Sequence, residues 1–313
     1  TFTAASYNVD GLPEKVLGLI TINGDGPGSD GTKTISSRLA GDAWDIIAFQ
    51  EDFTYDSELR SSMSNYTFGT YRGGVSSISS NDTDGLGFAT LNSTTSFSGE
   101  TIVKFNDAYG GIADGANTCV EKGFRYYLVT LAGGAQIDVY ITHMNSGSKE
   151  GHINARASQF QQLANYIVAN MTTRPIVLMG DFNARYTRDD YTTNFFSIFG
   201  EAGLMDFFND AWVELVDKYD INGNLLYAAG EYPDYPSDSL VVTEKYEGAE
   251  GDIECTTQGG EVVDKIYYIN NPNSDVAIFA NSFVRDMEYC IDNDPKQPLA
   301  DHMPVVSEFT YYY

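Results

Sequence analysis

The chain has 313 residues, 42% of them hydrophobic, enough for one large domain with a sizeable core or for two small ones. Forty-four acidic residues against 18 basic ones give a net charge of −26. That charge excludes long-range attraction to nucleic acid and to anionic membrane, but not a phosphate substrate, because bound divalent cations reverse the field locally.

The predicted elements follow in chain order. "TFTAASYNV" at the start and "WDIIAFQE" at Trp44–Glu51 read as strands. Between them lies the loop "NGDGPGSDG", which lacks the spacing of a calcium loop, and then a helix over Thr34–Asp42. "GLGFATL", "RYYLVTL" and "AQIDVYITH" continue the strand pattern, and Gly133-Gly134 reads as the hairpin turn between the last two. From Asn154 to Met171, Ala157, Phe160, Ala164, Ile167, Val168 and Met171 recur at helical spacing. "RPIVLMGD" is a strand, a second helix is predicted over Glu201–Lys218, and "YAAGEYPDYPSD" is a surface loop. "EVVDKIYYIN" and "VVSEFTYYY" close the set. Strands with intervening helices predict a mixed α/β domain over residues 1–313, with two packed sheets and helices outside.

No stretch approaches about 18 uncharged apolar residues, so no transmembrane helix is expected. The chain begins at Thr1 with no signal peptide in view, yet its Tyr- and Gly-rich, Lys-poor composition predicts a secreted, periplasmic or cell-surface protein. Cys119, Cys255 and Cys290 form no CxxC; one disulfide with a spare thiol and three buried thiols both remain open. The sequence points to no protein partner.

Polar residues stand at the borders of the buried runs. They are Asn8, Glu51, His143, Asp181 with Asn183, Asp264, and Asp301 with His302. One such residue is an ordinary cap or turn. A set drawn only from Asn, Glu, His and Asp suits a hard cation and a phosphate, with the histidines handling protons.

The segments "YNVDGLP", "FQED", "TDGLGF", "THMNSG", "GDFNAR", "VVDKIYY" and "ADHMPV" run in this order from the first strand to the last. In them the chain resembles the endonuclease/exonuclease/phosphatase superfamily, which includes deoxyribonuclease I and the neutral sphingomyelinases. The resemblance implies a four-layered α/β/β/α sandwich of two mixed sheets, deoxyribonuclease I-like, with the site at one end of the paired sheets. It implies a Mg²⁺-dependent phosphodiesterase, with Mn²⁺ or Ca²⁺ as substitutes. Glu51 would be the main metal ligand, with Asn8 beside it and Asp301 orienting the site or binding a second cation. Asp181 would orient the attacking water, Asn183 would donate to a phosphate oxygen, and His302 would be the general base oriented by Asp264. His143 would support the phosphate or leaving group with Asp84 as its carboxylate partner.

Asn145 stands where relatives carry an Asp, and reads either as a phosphate contact or as a turn residue. Arg185 and Arg188 would meet a second phosphate or pair with Asp189 and Asp190. His152 reads as a solvated surface group. The expected substrate is a phospholipid headgroup or small diester, with Leu225–Tyr235 as the loop that meets the bilayer. A secreted nuclease and a non-catalytic binding module on the same fold are the alternatives.

Overall fold

The computed structural model describes all residues except 17–19, 22, 25, 75–82, 112–116, 119, 186–190, 218–262, 287–288 and 290–298. The three cysteines, Arg188 with its acidic neighbours, and the Leu225–Tyr235 loop lie outside the described residues.

The chain opens with β1 (Phe2–Asn8), a small hairpin of β2 (Lys15–Val16) and β3 (Ile20–Thr21), and helix α1 (Gly28–Asp42). Then come β4 (Ile46–Gln50), α2 (Asp56–Arg60), β5 (Tyr66–Phe68), β6 (Gly87–Leu91) and β7 (Thr95–Lys104). The hairpin β8 (Gly123–Leu131) and β9 (Gln136–His143) leads into α3 (Glu150–Asn170) and β10 (Ile176–Asp181). The chain finishes with α4 (Ser197–Glu201), β11 (Phe208–Asp210), β12 (Asp264–Ile269), β13 (Ala277–Arg285) and β14 (Val305–Tyr312).

Two six-stranded mixed sheets result, in the orders β13-β14-β1-β4-β6-β5 and β11-β12-β10-β9-β8-β7. Each has a parallel pair at its centre, β1 with β4 and β9 with β10, flanked by antiparallel neighbours. Parallel neighbours need a crossover, and α1 and α3 supply the two. Apolar faces of both sheets meet in one core, which includes Tyr7, Phe49, Phe88, Val139, Met179 and Ile266 and extends to Ile35 and Leu39 of α1. A second cluster, with Phe160, Leu163 and Ile167 of α3 and Phe199 of α4, packs against Tyr140, Leu178 and Tyr267 of the second sheet. This is the four-layered sandwich that the sequence predicts.

Three local expectations need correction. The Glu201–Lys218 helix does not form over its predicted length. Gly203 turns the chain at φ 75°, and Phe208–Asp210 instead pairs with the edge of β12. Helix α3 starts earlier than predicted, and Val168 stands outside its buried stripe at 47% exposure. Strands β5, β7 and β13 were not predicted. β7 and β13 lie at sheet edges, where half the positions face water and the apolar alternation is diluted. At Gly133 and Gly134 the φ angles of 90° and 91° give the turn that the doublet predicts.

Candidate active site

The parallel pairs place their carboxyl ends together, and the polar residues of the sequence reading gather there. Asn8 is in register with Gln50, so Glu51 follows one step past Asn8. On the other sheet Asp181 is in register with both His143 and Asp264. Asn8 joins the sheets, its Nδ2 donating to Glu51 Oε1 at 3.2 Å and to Asp181 Oδ2 at 3.2 Å.

The backbone is bent to make this possible. Asp10, Glu51 and Asn183 adopt φ of 49°, 58° and 49°, a conformation that costs a non-glycine residue energy and clusters at functional sites. The Gly11 N–H donates to Glu51 O at 3.0 Å, and a Cβ on Gly11 would stand 2.4 Å from that oxygen. Gly180 lets β10 approach β9 just before Asp181, because a Cβ there would lie 2.0 Å from Thr142 O. The sequence "MGDFN" therefore leaves the core through a close strand contact and a left-handed turn. Asp181 Oδ1 accepts the Asn183 N–H at 2.9 Å, and Asn183 Nδ2 donates to Met144 O at 3.0 Å.

His302 and Asp264 meet as expected. His302 Nδ1–H donates to Asp264 Oδ2 at 2.6 Å, and both residues are buried. His302 Nε2 faces Asp301 Oδ1 at 3.8 Å and Asp181 Oδ2 at 3.9 Å. Burial alone would push His302 down, but Asp264, Asp301 and Asp181 outweigh it and hold the imidazole well above its ordinary range. Asp264 is pushed up to about 6 by burial, against the pull of His302. Burial alone would raise Asp181 as well, yet the positive charges of His302 and Lys122 hold its carboxyl below the usual value.

His143 departs from the expectation. Asp84 does not serve as its partner. Asp84 is clamped by Arg125, with Nη2 at 2.6 Å and Nε at 3.0 Å, and caps the Leu86 N–H at 3.0 Å. The pull of a buried guanidinium fork on a carboxylate decides this geometry. His143 Nε2 instead meets Lys122 Nζ at 2.9 Å and lies 3.4 Å from Asp181 Oδ2. Burial, with Lys122 next, pushes His143 down to about 3.

Asn145 is occupied inside the protein. Its Oδ1 accepts the Tyr109 N–H at 2.8 Å, and its Nδ2 donates to Ser146 O at 2.8 Å and to His152 Nδ1 at 3.0 Å. Of the two readings, the structural turn residue fits this geometry. His152 is buried at 2% exposure, not solvated, because the first turn of α3 tucks it beneath Tyr109, whose ring meets it edge-on at 5.0 Å. Arg185 is buried next to this end of β10.

Two residues here were not predicted, Lys122 and Asp10. Asp10 Oδ1 accepts from Asn23 Nδ2 at 2.6 Å. Burial, then Asp301 and Glu51, push Asp10 up to about 8. Burial, with Asp301 next, pushes Glu51 up to about 7.

This donor set fits a divalent cation. Carboxylates from Asp10, Glu51, Asp181, Asp264 and Asp301 repel one another, and the Asn8 amide stands among them. Ligand atoms of Asp181, Asp264 and His302 lie within 4.8 Å of one another. Asp264 Oδ1 is buried without a hydrogen-bond partner among the described residues. Hard oxygen donors in excess of available cationic side chains are what Mg²⁺ or a similar ion requires.

Comparison with known proteins identifies the family and the fold. The profile of the Endonuclease/Exonuclease/phosphatase family matches residues 5–207, and the chain belongs to that family. Members of this family are hydrolases that act on phosphoesters. The chain is 28% identical over 312 residues to sphingomyelinases of Mycobacterium bovis and Mycobacterium tuberculosis, covering 99% of this chain and 53% of theirs. It therefore spans about half the length of the curated relatives it matches. Among solved structures, an endonuclease/exonuclease/phosphatase family protein from Bacteroides thetaiotaomicron superposes with a TM-score of 0.64 at 15% identity, covering 100% of this chain and 98% of that one. The mannosyl-6-phosphatase Bt3783 of the same bacterium gives 0.62 at 15% identity, covering 99% and 100%. D. rerio TDP2 complexed with a single strand DNA product gives 0.62 at 15% identity, covering 99% and 98%. These structures share the fold.

Proposed function

We propose that residues 1–313 form a divalent-cation-dependent phosphodiesterase, with Mg²⁺ as the working ion and a phospholipid headgroup or small diester as the substrate. The observation that carries this reading is the pair His302–Asp264, whose 2.6 Å bond leaves His302 Nε2 turned toward Asp181 and Asp301. Asp264 fixes the Nδ1–H tautomer and stabilises the imidazolium, so Nε2 is the atom that takes a proton from water. Asp181 orients that water, and Asn183, fixed by the turn at its own backbone, supplies a donor to a phosphate oxygen. Glu51, Asn8 and Asp301 would hold the cation, with Asp10 within reach of the same field. A bound cation supplies neutralisation of the phosphate oxygens and stabilises the departing one.

The lipid reading draws support from the sphingomyelinase relatives and from the charge of −26, which opposes a long polyanion but leaves a small headgroup accessible. The acidic, Lys-poor composition supports export from the cytoplasm. The test starts with purified protein on bis-p-nitrophenyl phosphate, with Mg²⁺ and with EDTA. Turnover with Mg²⁺ alone is expected; none under either condition would favour a non-catalytic module. Sphingomyelin mixed micelles and plasmid DNA at equal phosphate then decide the substrate. Rapid plasmid nicking without lipid turnover would overturn the lipid reading in favour of a nuclease.

A further inference from the structure

We propose that Lys122 is the side chain that meets the substrate's phosphate, and that His143 is the neutral acceptor that aims it. This rests on the phosphoesterase reading above and reassigns the role expected of His143. An ammonium carries three donors and no lone pair, so in the 2.9 Å contact His143 Nε2 accepts and its proton sits on Nδ1; the competing arrangement, Nε2–H donating to Asp181 Oδ2, would use the longer 3.4 Å contact. A nitrogen that accepts from lysine has no proton to give a phosphate oxygen. The donor on this side of the site is then the ammonium itself.

The placement of Lys122 is built in. It precedes Gly123, which stands in register with His143 at the end of the β8–β9 pair. Its carbonyl accepts the Phe105 N–H at 2.9 Å, and the neighbouring Glu121 N–H is held by Thr83 O at 2.8 Å. Gly123 admits no side chain, since a Cβ would lie 2.3 Å from Val103 O. Lys122 is 6% exposed, and its charge acts on Glu51, Asp181 and His143 together. Arg125 of β8 and Arg72, in the segment after β5, are engaged by Asp84 and Glu121. A buried cation whose charge, like that of His302, reaches the carboxylates of Glu51 and Asp181 is placed to stabilise charge building on phosphate oxygens.

The experiment compares wild type with Lys122→Met and Lys122→Arg at saturating Mg²⁺. Lys122→Met is expected to lower kcat/KM on bis-p-nitrophenyl phosphate by about 100-fold, the scale for losing one such donor. The inhibition constant of inorganic phosphate should weaken by about tenfold or more, and Lys122→Arg should restore much of both losses. The Mg²⁺ midpoint should stay the same or tighten, because a positive charge has left the carboxylates. A lysine that only balanced those carboxylates would leave phosphate inhibition unchanged at saturating Mg²⁺, and that result overturns the proposal. Nitrogen NMR of the wild type, with three histidines in all, gives a second reading. An Nδ1–H tautomer with an accepting Nε2 is expected at His143. An Nε2–H tautomer overturns the proposal, even if the Met variant does not fold. If the chain turned over no phosphoester, phosphate-induced stabilisation of wild type, lost in Lys122→Met, would still report the contact; equal stabilisation of both would refute it.

Discussion

Replacing Asp264 by Asn removes one charge and keeps the shape of the His302 contact. The 2.6 Å bond is buried and charge-assisted, and such bonds contribute about 1.5–3 kcal/mol. That alone lowers the rate by roughly 10- to 150-fold. An amide also has an N–H with which it can face Nδ1 and so favour the wrong tautomer, which makes about 100- to 10,000-fold the expected range for kcat. The pH profile gives a sharper signature. Burial opposes protonation of His302, and Asp264 heads the charges that overcome it. Without that carboxylate the imidazole loses its proton more readily, so the limb of the profile that reports the base moves to lower pH. The assay is kcat and kcat/KM on bis-p-nitrophenyl phosphate from pH 5 to pH 9 at saturating Mg²⁺, together with thermal unfolding to confirm the fold. A variant with near-wild-type kcat and an unmoved limb would refute His302 as the base held by Asp264.

Glu51→Gln should abolish most turnover while raising the melting temperature of the EDTA-treated protein, since it removes a carboxylate that burial and Asp301 push up to about 7; a normal cation-induced stabilisation in this variant would exclude Glu51 as a ligand. In EDTA, stability should fall as pH rises from 6.5 to 8. Asp10, pushed up to about 8, and Glu51, at about 7, bind more protons folded than unfolded across that window, and His302, held high, acts in the same direction. His143, pushed down to about 3, opposes this at the start of the window and fades about a unit above its unfolded value near 6.5, so it does not cancel the slope from there to pH 8. Saturating Mg²⁺ should flatten the curve, and equal slopes with and without it would count against cation binding by these groups. Asn145→Ala leaves the Tyr109 N–H without its partner and Ser146 O with only the 3.3 Å bond from Asn117 Nδ2, so it should cost about 1–3 kcal/mol of stability by denaturant melting; a stable variant with a raised KM would restore Asn145 to the substrate.

The outline of this site was legible because strand ends are legible. A run such as "PIVLMGD" marks where the core stops, and the parallel central pairs bring those stops to one place. Side-chain direction was less accessible. Asp84 and His143 both belong to the site's segments, but Arg125, read only as the start of a buried strand, takes the carboxylate first. His152 looked solvated because nothing in "SKEGHIN" shows that α3 begins at Glu150 and folds its first turn under Tyr109. Lys122 had a usable signal. The Gly133-Gly134 turn fixes the β8–β9 register, and counting outward from it pairs Gly123 with His143. The Lys before that glycine was therefore within reach of the site histidine on sequence grounds alone.

The same topology ties stability to chemistry. Asn8 is a single amide spanning two sheets, with one bond to Glu51 and one to Asp181. It draws together carboxylates that repulsion would otherwise spread, at the one edge of the sandwich where both central parallel pairs end. Apolar packing below, from Tyr7, Phe49 and Met179, leaves these ends little freedom to separate. The protein thus holds a preformed excess of negative charge, and a bound cation relieves it. Binding of the proposed cation would stabilise the fold by mass action and at the same time turn an anion-repelling pocket into one that admits phosphate. On the proposed reading, a chain of −26 would select its anionic substrate through this local reversal of sign, which a small headgroup would meet in full and a long polyanion only at its point of contact.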